Sequence, residues 1–401
     1  MKRPPPARRG SRRAAPRRAR LPAWALLPIL VTAAAVYLAT RGPGGYAGPT
    51  GGASLLLITV DGLRTDRVGA YGPPAVPTPS IDRLAAAGTL FEQAFTASVQ
   101  TLPAHATILT GLSPAQHGAR EDGERRLPAR VRTLAQALAG LGFRTAAVVG
   151  SPALASGCGL EQGFEHYDDD LLQAPGESGR RLARPARAVT DAALRKLAQD
   201  PSRRFFLWVQ YADPAIPAAP PRAQRDRLEG RPHDANVALV DAEIGRLLAA
   251  LDAAGSRPRT LVVAAGAHGL GLGDHGEALS GSSVYDETAR VPLVISLPPH
   301  LPSGARVRGV VRTVDLVPTL LELLRVEPAA MPQTAGTPLW PRIAGGEPGG
   351  PPPAYVEARG GPARGWPEAV ALRDDRHAYL HAAPPELYDV LLDPGQRSNL
   401  A

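Results

Sequence analysis

Three short stretches carry residue types able to do chemistry together. Asp61-Gly62 follows a run of apolar residues, Ser54–Val60. An acid at the carboxyl end of a buried strand suits a metal ligand or catalytic group, and equally a turn residue. Thr101-Leu-Pro-Ala-His105 places a hydroxyl just before a helix, because Pro103 suits a first turn. A helix N-terminus presents unpaired N–H groups that favour an anionic ester, so Thr101 reads either as a nucleophile or as a cap. Gly266-Ala-His-Gly269 closes another apolar run, 260–265, and His268 there reads as a metal ligand or as an exposed loop histidine.

The elements around these stretches alternate between strand and helix periodicity. Strands are predicted at 54–60, 145–149, 205–211, 260–265 and 291–297. Helices are predicted at 79–87, 104–110, 131–141, 188–197, 235–253 and 315–324, the last with Asp315 as its cap. Such alternation predicts an α/β fold, with a central mostly parallel sheet flanked by helices on both faces. Ligands of such folds bind outside the carboxyl ends of the strands, where all three stretches fall. From about residue 331 the chain turns to Pro- and Gly-rich loops with short strand-like pieces. The expected division is an α/β domain over 54–330 and a small α+β subdomain over 331–401.

The N-terminus has a different character. Residues 1–20 hold nine basic residues and no acid. That excess is larger than the whole chain's net charge of +8, so the body is close to neutral and offers no broad phosphate-binding face. No nucleic acid is expected as a partner. Residues 21–39 carry no charge, and Trp24 and Tyr37 sit near the two ends. The segment is long enough to cross a bilayer as a helix. The expected organisation is a basic cytoplasmic tail (1–20), a transmembrane signal anchor (21–40) and a Gly/Pro-rich linker (41–53). The basic flank predicts a single-pass cell-membrane protein with its body exported to a periplasmic or extracytoplasmic side; a cleaved signal peptide is the competing reading. Cys158 is the only cysteine, so no intrachain disulfide forms.

The motifs, in their order, resemble the sulfatase branch of the alkaline-phosphatase-like superfamily. The resemblance runs through Ile58-Thr-Val-Asp-Gly-Leu-Arg-Thr-Asp-Arg-Val-Gly-Ala-Tyr-Gly72, Pro77–Gly88, Thr101–Gly111, Gln116-His-Gly118 and Leu160-Glu-Gln-Gly-Phe164. It continues in Tyr285-Asp-Glu-Thr-Ala-Arg-Val-Pro-Leu293, Val314-Asp-Leu-Val-Pro-Thr-Leu320 and the closing Glu386–Ala401. It implies an alkaline-phosphatase-like fold and hydrolysis or transfer of sulfate or phosphate esters. It also implies a divalent cation (Ca, Mg or Mn) that holds the oxyanion and activates a side-chain nucleophile. By that resemblance Asp61 and His268 are metal ligands, and Thr101 is both nucleophile and ligand.

The departures are as informative. The family's sulfatases read Cys/Ser-x-Pro-x-Arg, converting the first residue to formylglycine; this chain has Thr101 and His105, and Thr yields no such aldehyde. Many relatives read Asp-His-Gly-Glu where this chain reads Ala267-His-Gly-Leu270, and they often carry histidines where it has Gln210, Ala215 and Ser280. Hard cations need anionic oxygen ligands, so the missing carboxylate weakens any metal site. Asp274-His-Gly-Glu277 repeats the lost motif seven residues on, beyond a Gly-rich turn. The reading is a membrane-anchored sulfatase-like protein with a degraded metal site, a pseudoenzyme or weak hydrolase. Its old cleft would be open to an anionic ester, a glycan or a protein partner. The alternative is an active metal-dependent hydrolase or transferase of sulfate or phosphate esters with Thr101 as nucleophile. His117, Asp213 and His275 have no role assigned by the motifs.

Overall fold

The computed structural model describes Met1 and residues 52–73, 76–123, 126–173, 181–200, 202–215, 231–346, 352–359 and 368–401. The expected tail apart from Met1, the anchor and nearly all of the linker lie outside these residues. Among the described residues no helix is long and apolar enough to cross a membrane.

Strands β1 (Ser54–Asp61), β2 (Thr89–Phe95), β3 (Arg144–Val149) and β4 (His166–Asp168) come first, and a small pair, β5 (Leu172–Gln173) and β6 (Arg181–Leu182), stands apart. They are followed by β7 (Phe205–Tyr211), β8 (Thr260–His268), β9 (Arg290–Val291), β10 (Leu293–Ser296) and β11 (Ala305–Arg312). The main sheet runs β11-β2-β10-β8-β1-β7-β3-β4, with β9 on β2. β1 pairs in parallel with β7 and β8, and β10 is antiparallel to both its neighbours. The sheet is therefore mostly parallel.

Every residue of β1, β7 and β8 is buried, as expected for strands covered on both faces. Alternate side chains enter different cores. Leu55, Leu57, Phe206 and Trp208 face one core beneath helices Thr101–Thr110, Leu134–Ala139 and Leu316–Leu323. Leu56, Ile58, Leu207 and Val209 face the other, beneath Pro79–Ala86, Ala186–Leu197 and Pro232–Ala253.

Four antiparallel strands, β12 (Ala354–Ala358), β13 (Ala369–Arg373), β14 (His377–His381) and β15 (Glu386–Asp389), form the second sheet. It joins the main body through a Ser98–Glu357 bridge and a half-buried ion pair between Arg120 and Glu357 at 2.6 Å. Met331, Leu339 and Ile343 pack into the core of the main sheet.

Two sequence expectations change in detail. Strand β8 extends through His268 instead of stopping at 265, so His268 is a strand residue with 1% exposure, not a loop residue. Asp315 does not cap the helix that follows it. Its carboxylate accepts from the Arg312 and Thr337 N–H groups and pairs with the Arg312 guanidinium.

Candidate functional site

Asp61, Thr101 and His268 converge. Asp61 ends β1, fully buried. Its neighbour Gly62 adopts φ +70, and a Cβ there would strike Leu270 and the Ala215 backbone. Glycine is what lets the chain turn so tightly beyond the acid. On β8 the register slips by one residue: Val60 lies opposite Gly266 and Asp61 opposite His268. Ala267 is the extra residue of this bulge, which brings His268 beside Asp61. Thr101 is the first residue of its helix, not one ahead of it.

Thr101 Oγ1 lies 3.2 Å from Asp61 Oδ2 and 3.4 Å from His268 Nε2. Its single proton can serve only one of the two. His268 places Nδ1 at 2.9 Å from the Gly269 carbonyl, which fixes the proton on Nδ1 and leaves Nε2 as a lone pair aimed at the hydroxyl. Burial pushes His268 down to about 4, so the ring is neutral. Asp61 Oδ1 lies 3.7 Å from His268 Nε2 and has no hydrogen-bond partner. Burial raises the Asp61 carboxyl well above the usual carboxylate range. Asp122 adds to the rise, while hydrogen bonds from Thr101 and Gln210 oppose it.

Gln210 was noted in the sequence only as a missing histidine. Its amide oxygen accepts from the Gly150 and Ser151 N–H groups, at 2.8 and 2.9 Å, which fixes the orientation of the amide. The NH2 then donates to Asp61 Oδ2 at 2.9 Å.

His105, at the position of the motif arginine, is fully buried and structural. Nδ1–H donates to the Thr101 carbonyl at 2.8 Å, and Nε2 accepts from Thr59 Oγ1 at 2.9 Å. Thr59 in turn accepts from Trp208 Nε1 at 2.9 Å. Burial drives His105 down to about 3, so no guanidinium-like charge faces Thr101.

Sequence reasoning missed Asp122. Its carboxylate accepts from the Thr101 N–H at 3.3 Å and the Leu102 N–H at 2.7 Å, so the end of the helix expected to attract an ester already carries an internal anion. A carboxylate some twenty residues after a helix start carries no local signature of capping.

Asp274 does not replace the missing ligand. It is half-exposed and pairs with Arg64 at 2.9 Å, while Arg64 also donates to the Leu270 and Gly271 carbonyls. The residues left unassigned are each held by internal partners. His117 bonds Thr107 Oγ1 and the Ala119 N–H. His275 stacks on Tyr285 at 3.8 Å and pairs with Glu287. Asp213 caps the helix starting at Ala186.

The geometry invites comparison with known proteins. The sulfatase family model matches residues 54–326. The chain belongs to the sulfatase family, a family of hydrolases. An arylsulfatase of Clostridium perfringens is 25% identical over 363 residues, covering 68% of this chain and 75% of that one. An ulvan-active sulfatase of Formosa agariphila is 26% identical over 406 residues, covering 86% and 76%. Among solved structures, the phosphonate monoester hydrolase of Agrobacterium radiobacter shares the fold with a TM-score of 0.70 at 22% identity, over 87% of this chain and 91% of that one. A second neighbour, solved with D-glucosamine-2-N,6-O-disulfate, gives 0.72 at 19% identity, over 87% and 93%. The sulfatase fold expected from the motifs is thus present.

Members of this family typically depend on a divalent metal. The donors here do not fit one held firmly. Asp61 is the single carboxylate of the trio, and its Oδ2 is already engaged by Gln210 and Thr101. Position 267 offers only a methyl group, fully buried in the core of the main sheet. Among the described residues no group of three or more His, Cys, Asp or Glu side chains is arranged to hold a metal ion.

Proposed function

We propose that this sulfatase-family chain is a membrane-anchored, exported pseudoenzyme whose cleft acts by binding rather than turnover. The observation that carries the reading is the pairing of Ala267 with Gln210. Where a second carboxylate would hold a dication, a buried methyl sits, and a neutral amide holds Asp61 instead. A hydroxyl nucleophile of high pKa needs a Lewis acid or a strong base, and the developing oxyanion needs positive charge. Both nearby histidines are neutral, and Asp122 makes the pocket more negative. Export and anchoring rest on the nine basic residues before the uncharged stretch 21–39. The ligand class, suggested by the sulfated sugar bound to a structural neighbour, is an anionic glycan or ester held away from the Thr101 helix end that Asp122 occupies.

A second reading is weak hydrolysis at Thr101. One contact favours it: Oγ1 stands 3.4 Å from a neutral imidazole nitrogen able to accept its proton.

The test uses the full chain in detergent. Bound metal is measured, and aryl phosphate, phosphodiester and aryl sulfate cleavage is assayed with and without Mn2+. Substoichiometric metal and no turnover dependent on Thr101 are expected. Stoichiometric metal, with turnover abolished by Thr101→Ala, overturns the pseudoenzyme. Metal-independent turnover abolished by the same substitution selects the weak hydrolase.

A further inference from the structure

We propose that the end of the main sheet opposite Asp61 is a docking face for an anionic phospholipid bilayer. The inference rests on the anchor reading for where the bilayer lies, and on the structure for what meets it.

β1, β3, β7 and β8 run parallel, so their first residues, Ser54, Arg144, Phe205 and Thr260, gather at one end of the sheet. A cleft of about 210 Å3 opens there, floored by Leu194, Leu197, Phe205 and Leu251, with Arg203 and Arg259 also lining it. Leu141, 46% exposed, stands in the turn whose carbonyls are reached by Arg203 and Arg204. Arg144, Arg203 and Arg259 line the cleft and no acid does, although Arg203 also pairs with Glu165 at 3.0 Å. Lys196 stands in a neighbouring pocket with Glu165, Asp168, Asp169 and Asp170. An apolar cleft lined by three arginines, with an exposed leucine on the same end, matches the two attractions of a bilayer interface: acyl insertion and anionic headgroups.

The chain's route adds an independent constraint. Ser54, which lines the cleft, is separated from the uncharged stretch by residues 40–53 alone, and these are rich in Gly and Pro. Fourteen residues bridge at most about 50 Å even when fully extended, so the Ser54 end stays near the uncharged stretch. Charge, apolar cleft and chain entry point coincide on one face.

The experiment reconstitutes the full chain with vesicles of phosphatidylcholine alone, or of phosphatidylcholine containing phosphatidylglycerol. In a Cys158→Ser background, a fluorophore is placed at Ser202→Cys on the proposed face, or at Leu272→Cys beyond the far end of β8. Headgroup spin-labelled lipid serves as quencher. Quenching several-fold stronger at 202 than at 272 is expected. It should grow with phosphatidylglycerol and be lost in Arg203→Glu/Arg204→Glu/Arg259→Glu. The milder Arg203→Gln/Arg259→Gln pair, expected to lose part of the effect, covers failure of the triple variant to fold. Equal quenching at both labels, or no response to lipid charge and to either variant, overturns the proposal. Flotation separates it from the anchor. A chain that floats with phosphatidylcholine yet quenches alike at both labels keeps the anchor and loses the face. One that floats only with anionic vesicles keeps the face and loses the anchor, and one that floats with neither loses both.

Discussion

Gln210 Nε2 donates to Asp61 Oδ2 at 2.9 Å. The amide cannot turn over, because its oxygen is held by two backbone N–H groups at the end of β3. A dipole of fixed orientation thus stands against the acid that, in the family pattern, begins a metal site. It satisfies one carboxylate oxygen without supplying charge, and it leaves the other, Oδ1, without a partner.

Ala267→Asp tests this directly. The new carboxylate would be buried next to Asp61, so the metal-free variant should lose about 2–4 kcal/mol of stability. Mn2+ affinity should rise by roughly 10-fold or more, since even outer-shell groups change affinity by that factor. Thermal unfolding across a Mn2+ titration reads both effects. A destabilised variant that Mn2+ fails to rescue would show that Asp61 and His268 are not enough to complete a site.

The Trp208–Thr59–His105 chain predicts a purely structural loss. Thr59→Val leaves the Trp208 N–H and His105 Nε2 unpaired in a fully buried setting. The expected cost is about 2–4 kcal/mol, read from the urea midpoint at unchanged slope. A change below about 0.5 kcal/mol would mean that water enters this core.

Asp213 predicts a dependence on pH. Burial pushes its carboxyl up to about 6, against 3.8 for the free side chain. The folded state therefore holds the proton to higher pH than the unfolded state does. This favourable contribution is complete below about pH 4 and is lost as pH rises to about 6. Asp213→Asn can still accept from the Ala186 N–H but cannot titrate. Relative to the variant, the wild type should lose up to about 3 kcal/mol between those limits. Parallel stability curves from pH 4 to 7 would contradict this.

Asp274→Ala should cost less than about 1 kcal/mol, because its partner Arg64 keeps Asp66 and the pair is half open to water. Metal uptake should not change. Weaker Mn2+ binding in this variant would bring the second Asp-His-Gly-Glu back as a ligand loop.

Strand and helix periodicity made the centre of the fold legible, because β1 and β7 are continuous apolar runs bounded by clear breaks. β2 and β11 escaped notice: Glu92, Gln93 and the arginines of Ala305–Arg312 interrupt their apolar pattern at half-buried or exposed positions. The trio Asp61, Thr101 and His268 was legible from motif order, because strand ends in such sheets collect at one edge. Asp122 and the double role of Gln210 were not. Both depend on side chains reaching groups 20 and 149 residues away in sequence, where no local pattern records the contact.

The bulge at Ala267 separates backbone from chemistry. The extra residue between Gly266 and His268 fixes where any side chain at 267 stands, whatever its type, so this edge of the sheet can exchange one functional group for another without altering the pairing of its strands.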